Sequence, residues 1–455
     1  MNINDKSGWL FNADTKNTHD VSLDELQMLL ELAKAEDQWA ENVKQEIEYN
    51  DAYPRASGID FLFNDVRIMN GEGAIVQFPF GYICTFRSRR HLFRGEVQDY
   101  DFSEASLSRR CRRKSGEKRS PREIELLHTI ANMRIAQFRK FIWQFDIIPQ
   151  WEGKLSEVNY KALAQHYGFE TFLLDLTNDV RNALFFATCK WEKDHFEPLA
   201  EKDIKQSERS KYGVIYHTPD WKIDFLNGIS FLKLQASFEK ERGRSRPSVI
   251  DTGLWDGVAY QIGLQPFYRC HTQSGYVYPM KTMDDIRHNG QFERIRFPQT
   301  VEFSNQIFQM MDEGKKIYPE EGITQTMGIL EQMRRTLIFS EDDLLWAYEL
   351  DEADKKEFSS VDQLRATLQS GEMAHLIEDA YGVDNGQILI TPNEVEYPLS
   401  ENIINSINTY YNDKSFLAPI GEKLYMKPDA KKYRKLRYFQ IFGEEMDEEI
   451  AQLFS

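Results

Sequence analysis

The chain has 455 residues, which exceeds the size of one typical hydrophobic core and predicts two or three domains. Its formal charge of −17 at pH 7 disfavours general affinity for nucleic acid or anionic membranes. No run of about 18 apolar residues is present, so no membrane span is expected, and the first residues lack the pattern of a secretory signal. Four widely spaced cysteines suit a reducing compartment and predict a cytoplasmic protein.

The positive charge of this acidic chain is gathered in one segment. Between Arg87 and Arg122 there are twelve Lys or Arg residues against five Asp or Glu, a local charge of +7 that leaves −24 elsewhere. Such a run is either a solvated face or a site for phosphate-bearing ligands, which arginine binds through two parallel hydrogen bonds. The sequence leaves both interpretations open.

The N-terminal region predicts one amphipathic surface helix. Ser22 and Glu25 form the S-x-x-E pattern of a capping box, and acidic residues fill the polar face that follows. The apolar stripe at helical spacing consists of Leu26, Leu30, Ala33, Ala40, Val43 and Ile47. Residues 58–81 then form a strand-prone connector.

Two short strands and a long helix are predicted next. "YICTF" at 82–86 and "HLFRG" at 91–95 have the aromatic and β-branched composition of strands. The helix begins at Pro121, with Ser120 as its cap and Glu123 closing a capping box. Its apolar stripe consists of Ile124, Leu127, Ala131, Ile135, Phe138, Ile142 and Phe145.

The remainder of the chain alternates between helical and extended patterns. A short helix ends at Gly168, a residue suited to that position, and Asn178 is predicted to cap the helix after the next strand. Strands are predicted from Lys211 and Ser274. Beyond 338 the chain is acidic and mostly helical, with "QILITP" as one strand.

Seven segments in a fixed order resemble the FRG domain family, which is named for its Phe-Arg-Gly tripeptide. The resemblance covers about residues 80–330, although Phe172 and Leu176 stand where the family usually has Arg and Trp. The segments are FRG at 93–95, SLSR at 106–109, QHYG at 165–168, LLDLT at 173–177, ALFFA at 183–187, Arg269 with QSG at 273–275, and IYPEEGI at 317–323.

The resemblance implies an α+β fold with a mixed central sheet and flanking helices, more distantly similar to the ADP-ribosyltransferase fold. We assign this FRG domain to residues 80–337. A helical N-terminal arm with its connector occupies 1–79, and an α-rich C-terminal domain occupies 338–455.

The resemblance also implies an arginine-centred, nucleotide-binding cleft. An arginine between apolar strand residues needs an anionic partner, and in the ADP-ribosyltransferase fold an aromatic-Arg-Gly strand grips NAD. The candidate cofactor-binding residues are Arg94, Gly95, Arg109, Thr177, Asn178 and Arg269. Gly275 stands where that fold has its catalytic Glu, so the candidate catalytic residues are His166, Asp175 and Gln273.

Several of these residues also have a purely structural interpretation. Asp175 suits the acceptance of backbone N–H groups at a turn, and Thr177 suits packing in a sheet. His166 suits a helix end whose carbonyl groups need donors. Residues 273–275 suit a turn without chemistry.

Three functional hypotheses follow. The first is an enzyme that transfers ADP-ribose from NAD to an RNA or protein acceptor, or hydrolyses NAD, in a toxin-like or phage-defence setting. The second is a non-catalytic sensor that binds a nucleotide or RNA through Arg94 and the 108–114 loop, with Phe93 and Tyr100 stacking on bases. The third is a partner-binding protein that uses its acidic helical ends. The nine histidines lack H-x-x-x-H or H-E-x-x-H spacing, so no metal is expected.

Overall fold

The computed structural model describes residues 18–31, 33–34, 38, 66–68, 73–78, 81–86, 91–149, 158–193, 195–219, 259–262, 265–280, 282, 284–290, 292–350, 357–384, 386–413 and 424–426. Among these residues, no helix combines the length and the apolar composition that crossing a bilayer requires.

Strands and helices alternate along most of the described chain. The strands are β1 (Thr18–Asp20), β2 (Val66–Ile68), β3 (Gly73–Phe78), β4 (Gly81–Phe86), β5 (His91–Glu96), β6 (Leu173–Thr177), β7 (Cys189–Glu192), β8 (His195–Pro198), β9 (Tyr212–Pro219), β10 (Tyr260–Gln261), β11 (Gly275–Pro279), β12 (Glu293–Pro298), β13 (Ile338–Ser340), β14 (Leu389–Thr391) and β15 (Leu424–Met426).

A helical stretch at 23–31 follows β1, and short 3₁₀ helices lie at Ile286–His288, Asp312–Gly314 and Gly322–Thr326. The α-helices are α1 (Ser106–Arg110), α2 (Pro121–Ile142), α3 (Tyr160–His166), α4 (Val180–Thr188), α5 (Glu201–Ile204), α6 (Arg269–Thr272), α7 (Val301–Met310), α8 (Met327–Arg335), α9 (Glu341–Leu350), α10 (Val361–Leu368), α11 (Gly371–Tyr381) and α12 (Glu401–Asp413).

The central sheet has seven strands in the order β1-β12-β9-β5-β6-β11-β10. β1 runs parallel to β12, and the other neighbours are antiparallel. The predicted mixed sheet with flanking helices is therefore confirmed. A four-stranded sheet has the order β15-β4-β3-β2, and β7-β8 and β13-β14 form two-stranded sheets.

The central sheet opens between β5 and β6. β5 pairs with β9 along its whole length, but it pairs with β6 at one position, where Phe93 lies opposite Thr177. Because side chains alternate across a strand, Phe93 and Gly95 face helix α4, whereas Arg94 and Glu96 face the other way. The opening therefore lies beside Arg94.

The N-terminal helical stretch carries the predicted capping box. The backbone N–H of Ser22 donates to Glu25 Oε2 at 2.7 Å, and the Glu25 N–H donates to Ser22 Oγ at 3.3 Å. Leu26, Leu30 and Ala33 of its stripe pack in a core with residues of β12. Ala40, Val43 and Ile47 lie outside the described residues.

Helix α2 connects two hydrophobic cores. Its predicted cap is confirmed, since Ser120 accepts from the Glu123 N–H and Glu123 accepts from the Ser120 N–H. A helix with apolar residues on several faces is suited to a central position. One core combines Ile135, Phe138 and Ile142 with Ile407 and Tyr411 of α12; the other combines Leu126, Leu127, Ile130 and Met133 with residues of α9, α10 and α11.

The C-terminal residues therefore share cores with α2. The domain boundaries at 79/80 and 337/338 stay predictions. The strands expected from Lys211, from Ser274 and within "QILITP" correspond to β9, β11 and β14.

The predicted cap of α4 is wrong by one residue. Asp179, not Asn178, occupies the N-cap, and its Oδ1 accepts from the Arg181 N–H at 3.0 Å. Asp179 also makes an ion pair with Arg181 at 2.7 Å. Its charge complements the positive helix N-terminus better than a neutral amide does.

A buried acid lies between two histidines on one face of the central sheet. Glu293 Oε2 is 2.9 Å from His217 Nδ1, and Glu293 Oε1 is 3.0 Å from His19 Nε2. Burial raises the pKa of Glu293 to about 7 and lowers the pKa of His217 to about 3. The structure therefore favours the neutral forms of Glu293 and His217 near neutral pH.

Replacing Glu293 with Gln imitates the protonated acid. A carboxyl with a raised folded-state pKa contributes stability that is present below its unfolded pKa and is lost as the pH rises through the folded value of about 7. We therefore compare the free energies of unfolding of Glu293→Gln and the wild type. The value for the variant minus that for the wild type should increase by on the order of 3 kcal/mol from about pH 5 to about pH 8. Urea denaturation at several pH values measures this difference, and Glu302→Gln, at an exposed position, is the control. A difference that does not change with pH would contradict the protonation of Glu293 in the folded state.

Candidate functional site: an arginine-lined cleft

Arg94 bridges the opening between β5 and β6. Its Nη1 donates to the Asp175 carbonyl oxygen at 3.1 Å, and its Nε donates to Glu96 Oε1 at 3.1 Å. The side chain is 21% exposed. The guanidinium is thus held between the two strands, with part of its surface still open to solvent.

Two buried polar atoms beside Arg94 lack hydrogen-bond partners among the described residues. Glu96 Oε1 accepts from Ser103 Oγ at 2.6 Å, but Glu96 Oε2 has no partner. Tyr216 lies opposite Arg94 on β9, and its buried hydroxyl likewise has no hydrogen-bond partner among the described residues. Buried polar groups are nearly always hydrogen-bonded to protein, water or ligand. Glu96 Oε2 and the Tyr216 hydroxyl are therefore polar atoms with unused hydrogen-bonding capacity on the Arg94 side of the sheet.

Arg109 is a second cation at this place. Its side chain is exposed, and its guanidinium makes no hydrogen bond or ion pair with the residues that the structure describes. Desolvation by the surrounding protein, followed by the positive charge of Arg94, lowers the pKa of Arg109. Arg109 therefore lies close enough to Arg94 for their charges to interact.

Tyr100 lies near both arginines. Its ring is 38% exposed, and burial together with the charge of Glu96 raises the pKa of its hydroxyl. The charges of Arg94 and Arg109 act on the same hydroxyl in the opposite direction. The Tyr100 hydroxyl therefore lies within electrostatic range of both cations.

Among the residues that the structure describes, most of the other arginines in the basic segment neutralise acids within the protein. This pairing explains much of the concentration of charge, because each partner is a carboxylate held by the fold. The pairs are Arg110–Glu170 at 2.7 Å, Arg112–Glu104 at 2.5 Å, Arg113–Glu123 at 2.8 Å and Arg119–Asp379 at 2.6 Å.

The three predicted catalytic residues lie close together, and Arg94 contacts the backbone carbonyl of one of them, Asp175. His166 Nδ1 is 2.9 Å from Gln273 Oε1, and His166 Nε2 is 4.0 Å from Asp175 Oδ1. Gln165 donates to the same Asp175 oxygen. The Asp175 side chain is 45% exposed, whereas that of His166 is buried. Asp175 is therefore the member of the cluster that a ligand can reach.

Burial determines the charge state of His166. Desolvation lowers the pKa of its imidazole, and the nearby Asp175 carboxylate opposes this only in part. The buried Nε2 has no hydrogen-bond partner among the described residues. A neutral imidazole next to an exposed carboxylate follows from this environment.

A side chain at position 275, such as the glutamate that the ADP-ribosyltransferase resemblance implies there, would be tightly packed against its neighbours. A Cβ atom at this position would lie 3.0 Å from the Cys270 carbonyl oxygen and 3.5 Å from His166 Cε1. Thr177 lies opposite Gly275 in the sheet. His166 thus occupies the space next to Gly275.

Thr177 is a structural centre of the site. Its buried Oγ1 donates to the Gln273 carbonyl oxygen at 2.7 Å and accepts from the Asp179 N–H at 3.1 Å. The neighbouring Asn178 has a buried Oδ1 with no partner among the described residues. Thr177 therefore joins the end of β6 to the start of β11.

Arg269 contacts the backbone of His166. It is buried, its Nη1 donates to the His166 carbonyl oxygen at 2.7 Å, and its guanidinium lies 4.5 Å and 3.5 Å from the ring centroids of Tyr167 and Tyr318. Cation–π contacts of this kind stabilise a desolvated guanidinium. The structure thus surrounds Arg269 with protein.

The sequence analysis missed two acids that organise the site. Glu321 is buried, its pKa is raised by burial, and it accepts from Tyr167 Oη at 2.5 Å and Tyr411 Oη at 3.0 Å. Glu96 was missed although it lies two residues after Arg94, where the period of a strand places it on the same face. That spacing was the available signal.

The described residues form a mixed-sheet domain in which Arg94 and Arg109 lie close to each other. Residues 89–195 match the family model of the FRG domain. The chain therefore contains an FRG domain, and the matched residues include Arg94, Arg109, His166 and Asp175. No curated protein and no solved structure matches the chain.

Gly95 lies against a helix. A Cβ atom at this position would be 2.7 Å from the Ala183 carbonyl carbon and 2.8 Å from the Ala187 backbone nitrogen. Backbone atoms of α4 cannot withdraw as a flexible side chain can. The glycine of the tripeptide therefore allows β5 and α4 to approach closely.

Gly95→Ala is expected to destabilise the protein by about 3 kcal/mol or more, because the new methyl group overpacks the contact between β5 and α4. Gly290→Ala serves as the control, since a Cβ atom there meets nothing within 4 Å. Thermal unfolding followed by circular dichroism compares the two. Equal melting temperatures for Gly95→Ala and wild type would contradict the close approach.

Proposed function

We propose that the chain binds a phosphate-bearing ligand, a nucleotide or a dinucleotide such as NAD, in the cleft between Arg94 and Arg109. The observation that carries the proposal is the position of Arg109, a partly desolvated guanidinium that has no ion-pair partner among the described residues and lies beside a second cation. Two like charges in a concave surface repel each other, and an anion placed between them removes that cost. Phosphate groups offer the oxygen pairs that guanidinium groups bind best.

The rest of the cleft suits the other parts of a nucleotide. Glu96 Oε2 is a free acceptor near Arg94, which favours a hydroxyl group such as those of ribose. Tyr100 offers an exposed ring for stacking on a base. These features support a nucleotide over an inorganic anion.

Arg109→Ala is expected to weaken binding of ADP-ribose about 10-fold to 100-fold, the loss of one charge-assisted hydrogen bond. Isothermal titration calorimetry with ADP-ribose, NAD and inorganic pyrophosphate measures the loss. Arg113→Ala is the matched control, because Arg113 is paired with Glu123, and it should retain wild-type affinity. Equal affinities of wild type and Arg109→Ala would remove Arg109 from the site.

We further propose that the cleft consumes NAD by transfer or hydrolysis of its ADP-ribose group. Asp175 supports this, because Arg94 contacts its backbone carbonyl and its half-exposed carboxylate is oriented by Gln165. Loss of nicotinamide leaves positive charge on the ribose, which a nearby carboxylate stabilises. Asp175 thereby takes the role for which position 275 has no side chain.

Asp175→Asn should lower nicotinamide release from NAD at least about 100-fold, because a neutral amide does not stabilise the developing charge. Binding of NAD should change little, since Arg94 contacts the backbone of Asp175. The exposed Glu208→Gln is the control. Wild-type protein that binds NAD without releasing nicotinamide would rule out the enzyme and leave the binding proposal standing.

The alternative is a non-catalytic sensor that binds RNA. Phe102 favours it, because this residue is 50% exposed, lies two positions after Tyr100, and has its ring centroid 4.1 Å from the Arg112 guanidinium. The ion pairs of Arg110, Arg112 and Arg113 leave few cations for phosphates. In the same titrations, tight RNA binding that weakens steeply with salt and depends on several of Arg109, Arg110, Arg112 and Arg113 would favour the sensor.

A further inference from the structure

The C-terminal end of helix α11 contacts two arginines of the basic segment, Arg110 and Arg119, and also Arg134 of helix α2. The Tyr381 ring lies between two guanidinium groups, with Arg110 5.1 Å and Arg134 4.6 Å from its centroid. Arg110 Nη1 also donates to the Ala380 carbonyl oxygen at 2.8 Å. Arg119 makes an ion pair with Asp379 at 2.6 Å.

These contacts are favourable for two physical reasons. The C-terminus of an α-helix carries partial negative charge and unsatisfied carbonyl groups, so cations are stabilised there. The Tyr381 hydroxyl is buried, which raises its pKa to about 12, so the ring stays neutral and attracts cations through its faces. Gly382, with a φ of 69°, ends the helix at this place.

The contact reaches the cleft through one peptide bond. Arg110 is the direct neighbour of Arg109, and both belong to α1, a helix of five residues. A helix of this length is not stable by itself, so its orientation depends on tertiary contacts. Arg110 supplies several of them, to Glu170 at 2.7 Å, to Ala380 and to Tyr381.

Arg109 differs from its neighbours in this segment. Arg110, Arg112, Arg113 and Arg119 each make an ion pair with a defined carboxylate, whereas Arg109 makes none with the described residues. The paired arginines fix the backbone on both sides of α1. Within the described part of the chain, they leave the Arg109 guanidinium without an ion-pair partner.

We infer that the end of helix α11 sets the ligand affinity of the cleft, with Tyr381 as a positioning residue that acts on Arg109 through Arg110. The C-terminal segment 357–382 is then a working part of the ligand site, although it lies beyond the matched FRG residues. This inference rests on the proposed function, since it concerns affinity at the same cleft.

Tyr381→Leu removes the ring faces and keeps an apolar side chain. We expect it to weaken ADP-ribose binding about 5-fold to 10-fold, which is within the range of one or two cation–π contacts. Tyr381→Phe retains the ring and should keep wild-type affinity. Rescue by the phenylalanine variant distinguishes positioning of the arginines from any role of the hydroxyl.

The matched control is Ile377→Ala, a substitution in the same core of α11. Ile377 is fully buried, so its truncation costs about 2–5 kcal/mol of stability without touching the arginines. Titrations are made well below the melting temperature of each variant. An equal loss of affinity in Ile377→Ala and Tyr381→Leu, or unchanged affinity in Tyr381→Leu, would overturn the inference.

Hydrogen exchange of the backbone amides of α1 provides a readout that needs no ligand. We expect faster exchange over 106–112 in Tyr381→Leu and wild-type exchange in Tyr381→Phe. Wild-type protein that binds neither ADP-ribose nor pyrophosphate would refute the proposed function. The exchange rates would then still test whether Tyr381 positions helix α1. Unchanged exchange in Tyr381→Leu would refute the positioning of α1.

Discussion

The guanidinium of Arg94 joins β5 to β6 where the two strands separate. Its bond to the Asp175 carbonyl oxygen replaces part of the missing backbone ladder, and its bond to Glu96 keeps a carboxylate buried beneath it. A buried ion pair of this kind costs solvation energy, which makes it a poor source of stability alone. Its value here is geometric, because the same cation bridges the two strands and contacts the backbone of Asp175, which lies in one cluster with His166 and Gln273.

Local features of the fold were predictable from the sequence, and contacts between distant segments were not. The capping boxes at Ser22 and Ser120 and the stripe of α2 depend on residues within a few positions of one another. The second buried face of α2 depends on helices about 200 residues away, as the Gln137–Ile338 bond illustrates. The cap of α4 was misplaced because Asn178 and Asp179 are both good capping residues, and the choice depends on the Arg181 ion pair.

The candidate site shows the same division. Motif order brought His166, Asp175 and Gln273 into one hypothesis, and the structure places them within hydrogen-bonding or ion-pair range of one another. The environment of Arg269 was not predictable, because the rings that enclose it come from residues 167 and 318. Nor was the pairing of the basic segment, since carboxylates such as Asp379 approach it from the other end of the sequence.

The two buried faces of α2 have a consequence during synthesis of the chain. The helix leaves the ribosome about 200 residues before α9, α10 and α11, which cover its Leu126 and Met133 face. At translation rates of about 5–20 residues per second, that apolar face waits for about 10–40 s without its partners. The nascent chain therefore exposes an apolar helix face for far longer than a helix takes to form. We expect the yield of folded protein in a cell to depend on chaperones that cover this face until the C-terminal helices are synthesised.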